Sequence, residues 1–522
     1  MQDRNSIFSR LEVKKYILTK NLKHDLPASI VVFLVALPLC LGIALASGAP
    51  LFAGLLTGVI GGVVVASFSG SQLSVSGPAA GLTVIVLGAI TSLGSYQTFL
   101  MALLLAGAMQ LILGLLKAGS VSSYFPSSVI EGMLAAIGLT LIINQIPYIM
   151  GIDPSQYSIS AITSGNTNFG IAAIVIGLLS LAILIYWPRF KKLSVVPAPL
   201  VVVVVGVALA YAFKNTAYAI DAKQMVAIPE VSGWGDFTGL FMMPDFSTIT
   251  NPQVWVVAGT LAIVASLETL LGIEAVDKLD KKKRTSPSNR ELVAQGIGNM
   301  TSGMLGGLPM TSVIVRSSAN ANSGAKTKMS AIFHGCWLLL SLLFIPGVIN
   351  MIPLAGLAAV LIFTGYKLTR IDLYKHQYHK GWNQFVPFVV TVIAVLLTDL
   401  LKGVAIGMVV SVFYLLRTNM RNPYFYQLQQ DGSKKDLRIN LAEEVSFLNK
   451  AAIQTILSKI PKETNVTIDG TNSKYIDPDV LETIFNYKHN AYSKGIIVTL
   501  KNVQKHYTIP KLTDNLVQEI NN

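Results

Sequence analysis

Long apolar stretches recur along the first 417 residues and are separated by short polar connections. A helix needs roughly 20 residues to cross about 30 Å of hydrocarbon, and each stretch reaches or approaches that length. The pattern predicts an α-helical polytopic membrane protein with fourteen segments. Their expected bounds are 26–46, 51–68, 74–93, 97–116, 125–144, 168–187, 195–213, 253–275, 290–306, 307–322, 329–345, 351–366, 384–399 and 402–417.

A soluble pattern replaces the apolar one after Arg421. Short strand patterns and amphipathic helical patterns follow one another between Gly, Pro, Asn and Asp residues. They predict a small cytoplasmic α/β domain with strands at 436–441, 465–469 and 495–500 and helices at 449–458 and 479–487. The expected organisation is a cytoplasmic tail (1–25), a membrane domain (26–417) with repeats over 26–213 and 253–417, a linker (418–435) and the C-terminal domain (436–522).

The chain is 52% hydrophobic and 13% charged, about half the charge of a soluble protein. A net charge of +13 would indicate nucleic acid binding in a soluble protein, but here Lys and Arg cluster in loops between apolar runs. With the N-terminus inside, only Lys214, Lys223 and Lys402 of the basic loop residues fall outside, as the positive-inside rule requires. We expect a multi-pass protein of the inner (cytoplasmic) membrane, embedded in the lipid bilayer, with both termini in the cytoplasm and no nucleic acid partner.

Two segments are interrupted by proline in equivalent places. Segment three opens with Ser74-Val75-Ser76-Gly77-Pro78-Ala79-Ala80-Gly81-Leu82-Thr83, and segment ten with Gly306-Gly307-Leu308-Pro309-Met310-Thr311-Ser312-Val313. Each proline is expected to be the first residue of a half-helix that follows extended chain. The offset from Pro78 to Pro309, when added to Pro27 of segment one, leads to Ala258 inside segment eight. We therefore predict two repeats of seven segments, the second inverted because seven is odd.

An inverted repeat brings the two half-helix N-termini together near the middle of the bilayer. Each N-terminus carries about half a positive charge and unpaired N–H groups, which favour an anion. Irregular backbone at that depth also requires surrounding protein or a cavity. The alternative is that both breaks merely kink ordinary helices, but two breaks in equivalent positions favour an anion site.

Two ionisable residues lie deep within the segments. Arg316 is expected two turns into the second half-helix, where it adds a positive charge to the helix ends; alternatively, it reaches the cytoplasmic interface or neutralises Glu268. Glu268 lies in the middle of segment eight, where a carboxyl group is costly unless it is protonated or holds a cation. It is the candidate residue for coupling to H⁺ or Na⁺, with Thr269, Thr311 and Ser312 as further oxygen ligands.

The sequence contains no GxxxxGK[ST] nucleotide loop and no His, Cys or Asp cluster with metal-ligand spacing. Cys40 and Cys336 each lie in an apolar stretch and are expected to pack there. We expect neither an enzyme nor an ATP-driven pump, with no catalytic residues, no metal site and no cofactor apart from a coupling H⁺ or Na⁺.

Four motifs resemble those of the SulP family of inorganic anion transporters. They are Ser76-Gly77-Pro78, Ser266-Leu267-Glu268-Thr269-Leu270-Leu271, Gln295-Gly296-Ile297-Gly298-Asn299 and the stretch from Gly306 to Lys328 that includes Arg316-Ser317 and Asn320. The C-terminal domain resembles a STAS domain. The resemblance implies a 7+7 inverted repeat with a core subdomain (segments 1–4 and 8–11) and a gate subdomain (segments 5–7 and 12–14), usually in a homodimer that moves sulfate, bicarbonate, chloride or dicarboxylates.

The family pattern implies a substrate pocket lined by Leu39, Ile43, Ala79, Ala80, Val315 and Arg316. Several relatives carry aromatic or amide side chains at the first three positions, whereas this chain has aliphatic and small ones. Backbone N–H groups and Arg316 are therefore expected to hold the anion. Ile476-Asp477-Pro478-Asp479-Val480 lacks the phosphorylatable Ser of related signalling domains, which leaves an interaction or dimer-support role for the C-terminal domain.

These features favour a secondary-active symporter of sulfate or bicarbonate, in which the core subdomain moves like an elevator and Glu268 couples the cation. An uncoupled exchanger or channel would use the same site. A nucleobase transporter of the same fold is the third hypothesis, but it would need acidic side chains on both segments eight and ten, and segment ten has Arg316.

Overall fold

The computed structural model describes residues 2–120, 125–152, 169–190, 196–229, 235, 239–398, 400–421, 424–431, 434–462 and 464–503. The chain forms two compact units, Met1–Met408 and Val409–Asn522. The first contains most of the membrane domain. The second begins within the last membrane helix and continues into the C-terminal domain.

Fourteen helices in the described residues match the fourteen predicted segments, so the predicted polytopic fold is confirmed. They are α1 (Gln2–Ala46), α2 (Leu51–Phe68), α3 (Thr83–Leu93), α4 (Tyr96–Leu115), α5 (Ser127–Met150), α6 (Ile171–Arg189), α7 (Ala198–Phe213), α8 (Pro252–Leu279), α9 (Ser288–Leu305), α10 (Ile314–Asn322), α11 (Met329–Phe344), α12 (Leu354–Leu368), α13 (Trp382–Leu397) and α14 (Leu400–Arg421). Eight helical stretches of the described residues are long and apolar enough to cross a membrane, if α12 is taken together with the short helix Ile371–His379.

The helices pack in the two groups that the inverted repeat implies. In the first group, α4 packs along α8 and α9, and α1 packs on α2 and α11. In the second group, α5 packs on α12 and α13, and α6 packs on α7 and α12. Each group therefore draws helices from both repeats, and the two groups are the core and gate subdomains.

The two interrupted segments are half-helices that follow extended chain, as predicted, but their prolines do not begin the helices. Pro78 ends strand β1 (Ser76–Pro78), and a short 3-10 turn (Ala80–Leu82) leads into α3. Pro309 precedes strand β2 (Met310–Ser312), and α10 begins only at Ile314. The starts of α3 and α10 are nevertheless separated by the same offset as the two prolines, which is the predicted offset between the repeats.

The two strands pair with each other, and this pairing explains why the prolines lie in extended chain. β1 and β2 are antiparallel, with Ser76 opposite Ser312 and Pro78 opposite Met310. Backbone groups inside a bilayer must find partners within the protein, and each strand supplies partners for the other. The helix start is delayed as a result, so Arg316 lies in the first turn of α10 and not two turns into it.

The C-terminal unit holds the predicted α/β domain with more strands than expected. Its main sheet has the order β3 (Tyr424–Asp431), β4 (Lys434–Leu441), β6 (Thr464–Asp469) and β8 (Ile497–Lys501), and β5 (Glu444–Val445) pairs with β7 (Tyr475–Ile476). The helices are α15 (Lys450–Ser458) and α16 (Pro478–Ala491). The stretch 418–435 is not a linker, because it contains the end of α14 and β3, which pairs antiparallel with β4 along its whole length.

Two aspartates stabilise loops of the C-terminal domain. Asp469 ends β6 and accepts hydrogen bonds from Thr471 and, at 2.5 Å, from Arg438. The Thr471 hydroxyl and the Arg438 guanidinium hold the pKa of the Asp469 carboxyl below its ordinary value. Asp477 caps α16 and accepts a hydrogen bond from the Asp479 N–H at 3.0 Å. Asp477 therefore acts as an ordinary N-cap of α16.

Candidate functional site

A polar stripe on α9 faces the strand pair. Glu291, Gln295 and Asn299 are four residues apart, so they share one face of the helix, and all three are buried. Gln295 Nε2 donates a hydrogen bond to Ser76 Oγ at 2.6 Å. Asn299 Oδ1 accepts from the Met310 N–H at 2.8 Å, and Asn299 Nδ2 donates to the Met310 carbonyl at 3.2 Å. The stripe therefore holds β1 through one amide and β2 through another.

Side chains and backbone also bond the extended chain on either side of β2. Thr57 Oγ1 of α2 accepts a hydrogen bond from the Leu308 N–H at 2.6 Å, and Ser302 Oγ of α9 donates to the Leu308 carbonyl at 2.6 Å. The Val313 N–H donates to the Val75 carbonyl at 3.0 Å. These contacts supply the partners that lipid cannot. The interruption in segment ten is therefore a bonded structural element and not a simple kink.

Glu268 of α8 lies next to the approach to both half-helices. Its Oε2 accepts a hydrogen bond from Thr311 Oγ1 at 3.5 Å. Its Oε1 lies 1.4 Å from the position that a Cβ on Gly81 would occupy. Gly272, one turn further along α8, also lies close to β2, since a Cβ there would lie 2.3 Å from the Ser312 carbonyl oxygen. Among the described residues, no charged side chain pairs with the Glu268 carboxylate.

Arg316 is 0% exposed, although it lies in the first turn of α10. Its Nη1 lies 2.2 Å from the position that a Cβ on Gly77 would occupy, and Cys40 and His334 are its neighbours in the same buried space. No oxygen or nitrogen atom in the described part of the chain forms a hydrogen bond with the three guanidinium nitrogens. Arg316 therefore neither reaches the membrane interface nor neutralises Glu268. Its charge lies next to Gly77 of β1, close to the N-terminus of α10.

The other predicted pocket residues differ in exposure. Val315 is 42% exposed, and Ala80 is half-buried in the turn before α3. Leu39, Ile43 and Ala79 are buried. Helix α1, which carries Leu39 and Ile43, contacts β1, α3 and α10. The structure thus brings the predicted segments together, with Val315 and Ala80 as their accessible side chains.

Of the predicted cation ligands, Thr311 is the one bonded to Glu268. Ser312 Oγ shares a 2.6 Å hydrogen bond with Ser74 Oγ. Thr269 is buried, and its hydroxyl has no hydrogen-bond partner within the described ranges. Those ranges also contain no group of three or more His, Cys, Asp or Glu residues that could hold a metal ion. Glu268 and Thr311 are therefore the predicted cation ligands whose side-chain oxygens contact each other.

Three buried amides have contacts that were not predicted from the sequence. Gln110 lies on α4. Gln295 and Asn299 lie on α9, in a motif that does not by itself show which groups they contact. The available signal was the four-residue spacing of Glu291, Gln295 and Asn299, because a buried polar stripe on a membrane helix requires polar partners. Those partners are the backbone and side chains of the interrupted segments.

The first turn of α10 and the Glu268 carboxylate both adjoin strand β2. Ile314 and Val315, the first two residues of α10, are 44% and 42% exposed. The N–H groups of a first helical turn have no partner within the helix, and they carry the positive end of its dipole. Arg316 adds a full charge behind them, and the Glu268 carboxylate lies against the neighbouring strand.

Residues 22–394 match the model of the sulfate permease family. The putative sulfate transporter YvdB of Bacillus subtilis is 29% identical over 411 residues, which cover 77% of this chain and 75% of that protein. The bicarbonate transporter BicA of Picosynechococcus is 26% identical over 417 residues, which cover 77% of this chain and 71% of that protein. These relatives are transporters, which confirms the expectation that the chain is not an enzyme.

Solved structures show the same fold. The transmembrane domain of a cyanobacterial bicarbonate transporter, BicA, matches with a TM-score of 0.65 at 25% identity, covering 73% of this chain and 97% of that one. The murine anion transporter Slc26a9, in its inward-facing state, matches with a TM-score of 0.74 at 16% identity, covering 96% of this chain and 92% of that one. The family match extends over most of the fourteen membrane segments, and this protein therefore belongs to the sulfate permease family.

Proposed function

We propose that this protein is a secondary-active transporter of inorganic anions of the sulfate or bicarbonate class, coupled to H⁺ or Na⁺ through Glu268. The observation that carries the proposal is the contact of Glu268 with Thr311 of β2 and with Gly81 before α3. A single carboxylate thereby touches both interrupted segments. The negative charge of the Glu268 carboxylate attracts a cation, and the positive charge of that cation in turn attracts the anion.

The anion binds at the exposed first turn of α10, where backbone N–H groups and the helix dipole are available. Small and aliphatic side chains at Ala79, Ala80 and Val315 leave the backbone as the principal donor. Such a site selects for negative charge and small size more than for shape. This is why sulfate and bicarbonate are both candidate substrates, and the names of the two sequence relatives support the same pair.

The division of the helices into core and gate subdomains supports transport by an elevator-like movement. The site is built within the core, on β1, β2, α8 and α10, while α12 and α13 both pack on α5 in the gate. The core is thus the subdomain that carries the bound anion. We place the protein in the inner (cytoplasmic) membrane with both termini in the cytoplasm, as a homodimer that the STAS-like C-terminal domain supports.

An uptake assay distinguishes coupled transport from its alternatives. The full-length protein, reconstituted in vesicles, is expected to accumulate labelled sulfate or bicarbonate with saturation kinetics and to respond to a pH or Na⁺ gradient. Accumulation that ignores both gradients would identify an uncoupled exchanger. Large electrogenic currents that do not saturate with anion concentration would identify a channel.

The Arg316→Ala variant is expected to bind the anion more weakly. A unit charge about 8 Å away, acting through an effective dielectric constant of about 20, contributes about 2 kcal/mol, or roughly a 30-fold change in affinity. The KM for the anion should rise accordingly. Arg316→Lys keeps the charge and should retain much of the affinity. A wild-type KM in Arg316→Ala would show that its charge does not act on the anion.

A further inference from the structure

We propose that Gln110 and Asn299 are positioning residues that fix β2 relative to α8, so that a change at Glu268 acts on Thr311, and we call them the amide relay. The inference rests on the proposed coupling role of Glu268. Asn299 Nδ2 donates a hydrogen bond to Gln110 Oε1 at 2.6 Å, and Gln110 Nε2 donates to Ser266 Oγ on α8 at 3.3 Å. Both amides and Ser266 are buried, so water does not compete for these bonds.

The amide relay closes a ring of contacts between α8 and β2. One side of the ring is direct, from Glu268 to Thr311. The other side runs from Ser266 through Gln110 and Asn299 to Met310, the residue before Thr311. Ser266 and Glu268 are two residues apart, about 200° around the helix axis. On α8, the relay therefore bonds to Ser266, on the side of the helix away from the Glu268 carboxylate. On β2, it bonds to Met310, one residue before the Thr311 that contacts Glu268.

The two sides of the ring differ in strength. The relay bonds made by Asn299 are 2.6 to 3.2 Å long and the one from Gln110 to Ser266 is 3.3 Å, whereas the Thr311 bond to Glu268 is 3.5 Å long. The direct contact is the side that changes when the carboxylate gains or loses a cation. The relay keeps Met310 in place, so the change is confined to Thr311 and passes to α10, which begins three residues later.

Coupling requires that both ligands act on the same part of the protein. Here that part is the continuous stretch formed by β2 and the start of α10. The cation acts on Thr311 through Glu268, and the anion contacts the helix that follows. Without the relay, β2 keeps its pairing with β1 but is no longer fixed relative to α8, so a change at the carboxylate moves α8 instead of Thr311 and the first turn of α10 no longer responds. Anion binding and exchange remain, but the anion affinity becomes independent of the cation.

The test compares Gln110→Leu with Gln145→Leu in the reconstituted full-length protein. Gln145 of α5 is also fully buried, and its amide has no hydrogen-bond partner among the described residues, so its replacement removes a buried amide without cutting the relay. The KM for labelled sulfate, and in parallel for labelled bicarbonate, is measured with Na⁺ varied at fixed pH and with pH varied without Na⁺. Ser266→Ala provides a smaller change that cuts the same path if Gln110→Leu does not fold.

We expect the cation to lower the wild-type KM at least about 5-fold. Gln145→Leu should behave in the same way. In Gln110→Leu, or in Ser266→Ala where Gln110→Leu is not folded, the change should fall below about twofold while anion exchange persists. A wild-type cation dependence in these variants would overturn the amide relay and leave the coupling role of Glu268 intact. A wild-type protein with no cation dependence would overturn that coupling role and the relay together.

Discussion

Glu268→Gln is expected to abolish gradient-driven accumulation of the anion while leaving exchange partly intact. Glutamine has nearly the same shape and still accepts the hydrogen bond from Thr311 Oγ1, but it can neither bind a proton at neutral pH nor neutralise Na⁺. The variant therefore loses the cation and keeps the anion site. Vesicles loaded for counterflow should still exchange labelled anion, whereas an imposed pH or Na⁺ gradient should drive no accumulation above background.

Glu274→Gln is the matched control for this experiment. Glu274 lies on the same helix, its side chain is 63% exposed, and it pairs with Lys278 at 2.8 Å. An exposed pair of this kind contributes little to stability, so its loss should leave accumulation unchanged. If Glu268→Gln accumulates the anion as well as Glu274→Gln does, Glu268 does not couple transport.

Gly81→Ala should reduce accumulation at least about tenfold without unfolding the protein. The new Cβ would lie 1.4 Å from Glu268 Oε1, which is the far end of a flexible side chain, so the carboxylate must move. The backbone of Gly81 does not have a positive φ angle, so alanine fits this backbone conformation without strain. The displaced carboxylate loses its position beside Thr311, and the cation site is lost with it. Uptake assays and thermal unfolding of the purified protein separate the two effects.

Gly88→Ala, in the following helix α3, serves as the control for Gly81→Ala. A Cβ on Gly88 meets no atom within 4 Å, and alanine favours a helix over glycine by about 1 kcal/mol. Accumulation by Gly88→Ala should match the wild type, and its unfolding temperature should be equal or slightly higher. Wild-type accumulation by Gly81→Ala would mean that the position of the Glu268 carboxylate is not critical.

The membrane fold was predictable because two strong signals agree. The length of each apolar stretch predicts a spanning helix, and the offset between Pro78 and Pro309 indicates the repeat without any knowledge of packing. The observed half-helices keep that offset. The hairpin of β3 with β4 was missed because β3 follows directly on a membrane helix, where a short stretch resembles a linker.

The site was predictable only in part. A proline after glycine is compatible with a helix start or with extended chain, and the partner strand that decides between them lies in the other repeat of the sequence. The same separation hides the environment of Arg316, which depends on the absence of a side chain at Gly77. Gln110 was not assigned a role, because its partners, Ser266 and Asn299, lie on helices that are distant from it in sequence.

The pairing of β1 with β2 also has a consequence for the biogenesis of the protein. Ser74, just before β1, bonds to Ser312 of β2, which is made 238 residues later. At a synthesis rate of about 5 to 20 residues per second, that interval is roughly 12 to 50 s. Segment three must therefore enter the membrane with its central backbone groups still lacking their final partners. Until segment ten arrives, those groups have to find partners in other protein segments or in water.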